Sequence, residues 1–205
     1  MQRENKSEIA NLQVTGKVIF FVTNNINKFN EARSILARVD IAVGMLKLKP
    51  SEIQSDQLKE IARRSALDAF IRCGLPTIVE DAGLFIDKLK GFPGPYAAYV
   101  YSTIGNKGLL KLMEKVENRR AEFNSVIAYC DSNTGASKFF EGSVIGEITL
   151  EERQGKEKLG FGFDPIFKPA ESRKTFAEMS VEEKNSFSHR ANAVRKFADW
   201  YKRQR

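Results

Sequence analysis

The residues of this chain best equipped for chemistry fall in a few short stretches. In IVEDAGLFIDKL an apolar, strand-like run leads into Glu80 and Asp81, adjacent carboxylates after which apolar residues resume. A carboxylate buried without a partner is costly enough to neutralise itself, so the pair needs a cation, a solvent-filled cleft, or both. Asp81 is expected at the C-terminal end of its strand, and Glu52, in KPSEIQSD, shortly after another. Ligand sites of open α/β sheets gather beyond such ends. If the two carboxylates meet, they form a hard oxygen site suited to Mg²⁺ bound partly through substrate phosphates. The same residues also suit plain structural roles, Asp81 capping a tight turn before Gly83 and Glu52 solvated.

Three further stretches carry donors or flat rings. FVTNNINKFNE ends a buried strand in Thr23, Asn24 and Asn25 and places Lys28 at the front of a helix. That arrangement presents backbone N–H groups and an ammonium to an anion, although it is no Walker A loop and also fits an ordinary strand–helix turn with an N-cap. LGFGFDPIF sets Phe161 and Phe163 two apart around Gly162, where a flat ligand could approach the backbone and stack, or where two core rings could simply pack; Asp164-Pro165 reads as a turn. SFSHR brings His189 and Arg190 to a helix start, donors suited to phosphate oxygens or a base carbonyl, or else surface residues.

The elements that must position these groups follow from periodicity. KVIFFVT is a continuous apolar run with β-branched and aromatic members, hence a central strand. The next segment places Phe29, Ala32, Ile35, Leu36 and Val39 on one helical face, with Asn25 or Asn27 as N-cap. IAVGMLKL reads as a strand, and the segment from Ser55 to Gly74 as a helix with Leu58, Ile61, Ala62, Ser65 and Ala69 inward and Gly74 as its stop. LPTIVEDAG and LFIDKL read as two strands around an acidic turn, GNKGLLKLMEKV as a helix, and EFNSVIAYCD with KFFEGSVIGEITL as an antiparallel hairpin across SNTG. A capping box from Ser180 to Glu183, a second start at Ser188, and Ala191, Val194, Ala198 and Tyr201 at helical spacing give the last helix. The order predicts α/β with a mixed sheet.

Composition narrows the class. With 42% hydrophobic and 29% charged residues among 205, the chain suits one globular domain, residues 17–205, after a polar leader over residues 1–16 that is expected to fray. A net charge of +7 implies an anionic partner without choosing among them. Cys73 and Cys130 lie far apart in apolar stretches and read as small buried hydrophobes in a reducing compartment. A single histidine excludes HExxH zinc sites, and the absence of a membrane-length apolar run or signal core predicts a cytoplasmic protein without a membrane partner.

In order along the chain, TNNINKFNE, EIQ, VEDAGLFIDKLKGFPGPYAAYV, GFGFDPIF and TFAEMSVEEKNSFSHR closely resemble the inosine triphosphate pyrophosphatase family, from about Val18 to the last helix. The resemblance implies hydrolysis of ITP, dITP and XTP to monophosphate and pyrophosphate. It also implies a mixed twisted sheet in two lobes with the substrate cleft between them, and usually a homodimer. Carried onto matching positions, it implies triphosphate binding by Thr23 to Lys28, Mg²⁺ ligation by Glu52 and Asp81, and general-base work by Asp81. Base contacts fall to Phe161, Gly162, Phe163 and Asp164, with Lys184, His189 and Arg190 completing the pocket. Two departures stand out: Ala82 occupies a position where the family commonly has Ser or Thr, and Arg63 or Arg64 lies near a common family Lys. Two other readings are a nucleic-acid-binding module and a phosphohydrolase of pyrimidine nucleotides; product analysis over ITP, XTP, GTP and dUTP separates them.

Overall fold

A computed structural model describes residues 18–51, 53–132, 137–155 and 160–204. The leader, Glu52, Leu159 and all of the SNTG turn except Ser132 lie outside the described residues. The elements run β1 (Val18–Val22), α1 (Ile26–Ala37), β2 (Ala42–Leu46), α2 (Leu58–Cys73), β3 (Thr77–Ile86), β4 (Pro93–Gly94), α3 (Ala97–Thr103), α4 (Gly105–Leu112), β5 (Arg120–Cys130), β6 (Ser137–Ile148), β7 (Phe167–Pro169), α5 (Val181–Phe187) and α6 (His189–Lys202). The strands form one mixed sheet in the order β2-β1-β3-β5-β6-β7, with β4 paired to β3.

The sheet has two halves with different logic. β1 lies parallel to β2 over its whole length and meets β3 only at Phe20–Thr77 and Phe21–Ile78. Helices cover both faces here, which is why β1 is an unbroken apolar run. On one face α1 and α6 bury Ile19, Phe21, Leu36, Ile78, Val194 and Phe197. On the other, α2 presents Ala62, Ala66 and Ala69 to Val22, Val79 and Ala128, small residues that let the helix sit close. The antiparallel half is built from β3, β5 and β6, which pair along nearly their whole lengths. Its own core gathers Leu84, Ile86, Leu109, Met113, Phe123, Phe167 and Phe176. The parallel half with a core on each face and the antiparallel half with its own are the two expected lobes, joined through the long strands.

Several local expectations are corrected. The two strands expected around an acidic turn are one ten-residue strand, β3, so Asp81 sits mid-strand rather than at a strand end or in a turn. β5 supplies a partner for every β3 residue from Thr77 to Ile86, so nothing obliges the chain to turn at the carboxylates. A helix, α3, precedes the expected one, and Cys73 is half-buried while Cys130 is fully buried; both are free thiols. Asn25 is the N-cap of α1, and Gly74 closes α2 in the left-handed conformation.

The seam between α6 and the sheet is tight at Gly142 in β6, where an added Cβ would lie 2.2 Å from the His189 carbonyl oxygen and 2.5 Å from the Ala193 nitrogen. Both atoms are helix backbone and cannot swing aside. Gly142→Ala is therefore expected to destabilise the fold by about 3 kcal/mol, the upper range of overpacking. Urea denaturation reads this directly, and an unchanged midpoint would refute the contact.

Candidate active site

The site lies where β3 outruns β1. Beyond the last pairing with β1, at Ile78, the Glu80 carbonyl instead accepts a hydrogen bond from Lys28 Nζ at 3.2 Å. The loop leading there is held by its own side chains: Thr23 Oγ1 accepts from Asn25 N, and Asn25 Oδ1 accepts from Asn27 N and Lys28 N. The N-cap reading of this turn is thus present, and the N–H groups of residues 25, 27 and 28 have partners within the loop. Asn24 Nδ2 donates to the Leu48 carbonyl at 3.4 Å.

Alternation along β3 sends Glu80 and Asp81 to opposite faces of the sheet. Glu80 enters a buried chain of ion pairs. Its carboxylate meets Lys28 Nζ at 2.9 Å and Arg190 Nε at 3.1 Å, and accepts from Ser125 Oγ at 2.7 Å. Arg190 also pairs with Glu31, Glu31 with Lys184 at 2.8 Å, and Lys184 with Asp164 at 2.7 Å. Three cations and three carboxylates balance, which makes the burial tolerable. Burial alone would raise the carboxyl pKa of Glu80, but Arg190 and Lys28 hold it far below the usual range; for Glu31, too, burial is outweighed by Arg190 and Lys184, which lower its pKa. Burial opposes the charge on Arg190 in turn, and the two glutamates hold its pKa above the ordinary arginine value.

A cavity of about 300 Å³ opens on this face, lined by Asn25, Lys28, Ala82, Tyr101, Phe161 and His189 among others. Phe161 faces it with Lys184 and Arg190 at 4.6 and 5.5 Å from its ring centroid. Gly162, at φ +60°, lets the chain turn between Phe161 and Phe163. Phe163 is buried and meets Tyr101 edge-on at 5.5 Å. Asp164 is buried too, its Oδ2 accepting from both Lys184 and the Phe161 N–H. The Asp164-Pro165 turn takes the form of a single 3₁₀ turn, Asp164–Ile166.

His189 is 2% exposed and stacks on Phe123 at 4.7 Å and 10°, so it is no surface residue. Burial pushes its pKa well below 6.5, and the Arg190 charge adds to this, so the imidazole is neutral. The unfolded chain takes up a proton near pH 6.5 that the native state refuses. Stability is therefore complete above that pH and falls as pH drops below it, by up to about 1.4 kcal/mol per unit. His189→Gln is expected to flatten this slope between pH 6.5 and 5.5 in urea titrations; an equal slope in both proteins would overturn the assignment.

Lys28, Ala82 and Ala98 border both this cavity and a second cleft of about 820 Å³, which Asp81 lines together with Gln54. Asp81 is the one carboxylate among the cleft's described lining residues, a hard oxygen donor that fits a Mg²⁺ ion shared with phosphates. Glu52 lies outside the described residues, so the expected pair is placed only in part. Of the adjacent pair that called for a cation or a cleft, Glu80 finds its cations in Lys28 and Arg190. Lys184 does not line the cavity but braces Asp164 and Glu31 behind it. Arg63 and Arg64 pair with Glu60 on α2 and line neither space. Sequence reasoning missed Glu31, Phe123, Ser125 and Tyr101. Glu31 had a signal: it stands three residues after Lys28, the spacing that puts both on one helical face.

Fold and site together define an α/β protein whose mixed sheet carries an aromatic-lined cavity beside a carboxylate-bearing cleft. The chain belongs to the Ham1 family, whose model matches residues 19–200. It is 52% identical over 184 residues to a protein named dITP/XTP pyrophosphatase from Methanopyrus kandleri, covering 90% of this chain and 96% of that one. A protein of the same name from Thermococcus kodakarensis is 48% identical over 89% of this chain and 96% of its own length. Among solved structures, a HAM1 protein from Coxiella burnetii superposes with a TM-score of 0.79 at 27% identity, covering 91% of this chain and 98% of that one.

Proposed function

We propose that the chain hydrolyses deaminated purine nucleoside triphosphates, dITP, ITP and XTP, to the monophosphate and pyrophosphate. The observation that carries this reading is that the aromatic cavity, which suits a base, adjoins the cleft that Asp81 and Lys28 line, with Lys28 and Ala82 bordering both. Water attacks the α-phosphorus, the bond to the bridging oxygen of the β-phosphate breaks, and the Asp81 carboxylate takes the proton. Mg²⁺, held by Asp81 and on the family resemblance by Glu52, would neutralise charge on the phosphate oxygens. An ammonium has three donors; Glu80 takes two from Lys28, which borders both spaces and so serves the phosphates with the remainder. Thr23, Asn24 and Asn25 complete the phosphate side.

Selectivity falls to the base cavity. Hypoxanthine and xanthine carry an O6 acceptor where adenine carries an amino donor, and the donors at hand are the neutral His189 and Arg190. Adenine would leave them mispaired. Guanine shares O6, so it must be refused at its 2-amino group, by sterics or by a missing acceptor there. Because xanthine carries an oxygen of similar size at that position, the missing acceptor is the stronger ground. Phe161 beside a space of only about 300 Å³, with Phe163 buried, favours one base of a mononucleotide over a nucleic-acid strand, which needs a long groove. A homodimer and a cytoplasmic location belong to the same proposal; no helix among the described residues is long and apolar enough to cross a membrane.

Purified protein with Mg²⁺ is expected to release pyrophosphate from dITP and XTP with kcat/KM about 10²-fold above that for GTP. Comparable rates on GTP or dUTP would reject the assignment.

A further inference from the structure

We propose that the large cleft seats a second nucleoside, so that the chain also cleaves dinucleoside polyphosphates bearing one deaminated purine. The inference rests on the activity proposed above and extends its substrate class. The cleft's 820 Å³ is the size of a whole small-molecule site, although the first base has its own 300 Å³ cavity alongside. Its wall is wrong for phosphates alone: among its described lining residues only Lys28 and Asp81 are charged. Apart from Gln54 and Thr103, the rest of the wall is aliphatic and aromatic. Phe92, Tyr96, Tyr99 and Ile104 all line it and all remain exposed, Tyr99 by 68%. Partly exposed aromatic rings at the end of a phosphate path are what a second base stacks on. Lys28, which borders both spaces, stands where the phosphate bridge would cross, and Asp81 lines the cleft beside it.

In inosine-(5′)-tetraphosphate-(5′)-adenosine, water oxygen bonds to the phosphorus next to inosine and the bond from that phosphorus to its bridging oxygen breaks. The water proton passes to Asp81. IMP and ATP are the products, with no other reactant needed.

The test compares this dinucleotide with ITP, using the full chain and Mg²⁺, and follows IMP and ATP by chromatography. The expected kcat/KM for the dinucleotide lies within about tenfold of that for ITP. Tyr99→Ala is expected to lower it about tenfold, the scale of one lost base stack, while ITP hydrolysis changes less than twofold and Tyr99→Trp restores it. Turnover of ITP with an inert dinucleotide overturns this inference alone. Inertness toward both overturns it together with the proposed function. Equal losses on both substrates in Tyr99→Ala, with a change in molecular mass, would assign the aromatic wall to self-association and overturn it as well.

Discussion

Asp81→Asn is expected to bind dITP or XTP as the parent does and to turn it over about 10³-fold more slowly, the usual weight of a positioned general base. The size of the effect follows from the geometry of β3. The adjacent carboxylate, Glu80, points to the other face and is held there by Lys28, Arg190 and Ser125, so it cannot take over the proton. A side chain one residue away in a strand is on the wrong side of the sheet. The loss should fall on kcat, with nucleotide affinity measured by calorimetry and the melting temperature both near those of the parent. A near-parental rate would remove Asp81 from the reaction.

Arg190→Met is expected to cost about 3–5 kcal/mol at neutral pH, the range for removing one partner of a buried ion pair. For a chain of 205 residues that corresponds to a fall in Tm of roughly 6–20 °C. Arg190 is the centre of the chain of charges, and its loss leaves Glu80 and Glu31 buried with only a lysine each. The pH dependence distinguishes this from simple loss of packing. In the parent both carboxyl groups have pKa values below 4.5, so their contribution is present above that pH and is lost as pH falls through the native values. In the variant burial raises these pKa values above the unfolded ones, so the native state takes up protons first and the deficit narrows as pH falls from 7 toward 5. A deficit independent of pH would mean that packing, not charge, is what Arg190 supplies.

The elements of this protein were largely legible in order and type, because they rest on local physics. An apolar run of strand length, a helical face of Phe29, Ala32, Ile35 and Leu36, the capping box at Ser180 and the glycine stop at Gly74 each act within a few residues. The candidate site residues were legible as chemistry, since unpaired carboxylates and clustered donors are costly anywhere in a fold. Their roles were not. Whether Glu80 serves a metal or a lysine depends on β3 continuing as a strand, and that depends on β5, which supplies partners some 45 residues away. Glu31 and Arg190 are 159 residues apart in the chain and become an ion pair only when α1 packs on α6. Sequence determined which side chains carry charge and, apart from the continuation of β3 and the helix α3, which segments are strand or helix. Tertiary structure alone decided which charges neutralise one another in the buried chain and that Asp81 lines the cleft, because both depend on distances that only the packed sheet and helices set.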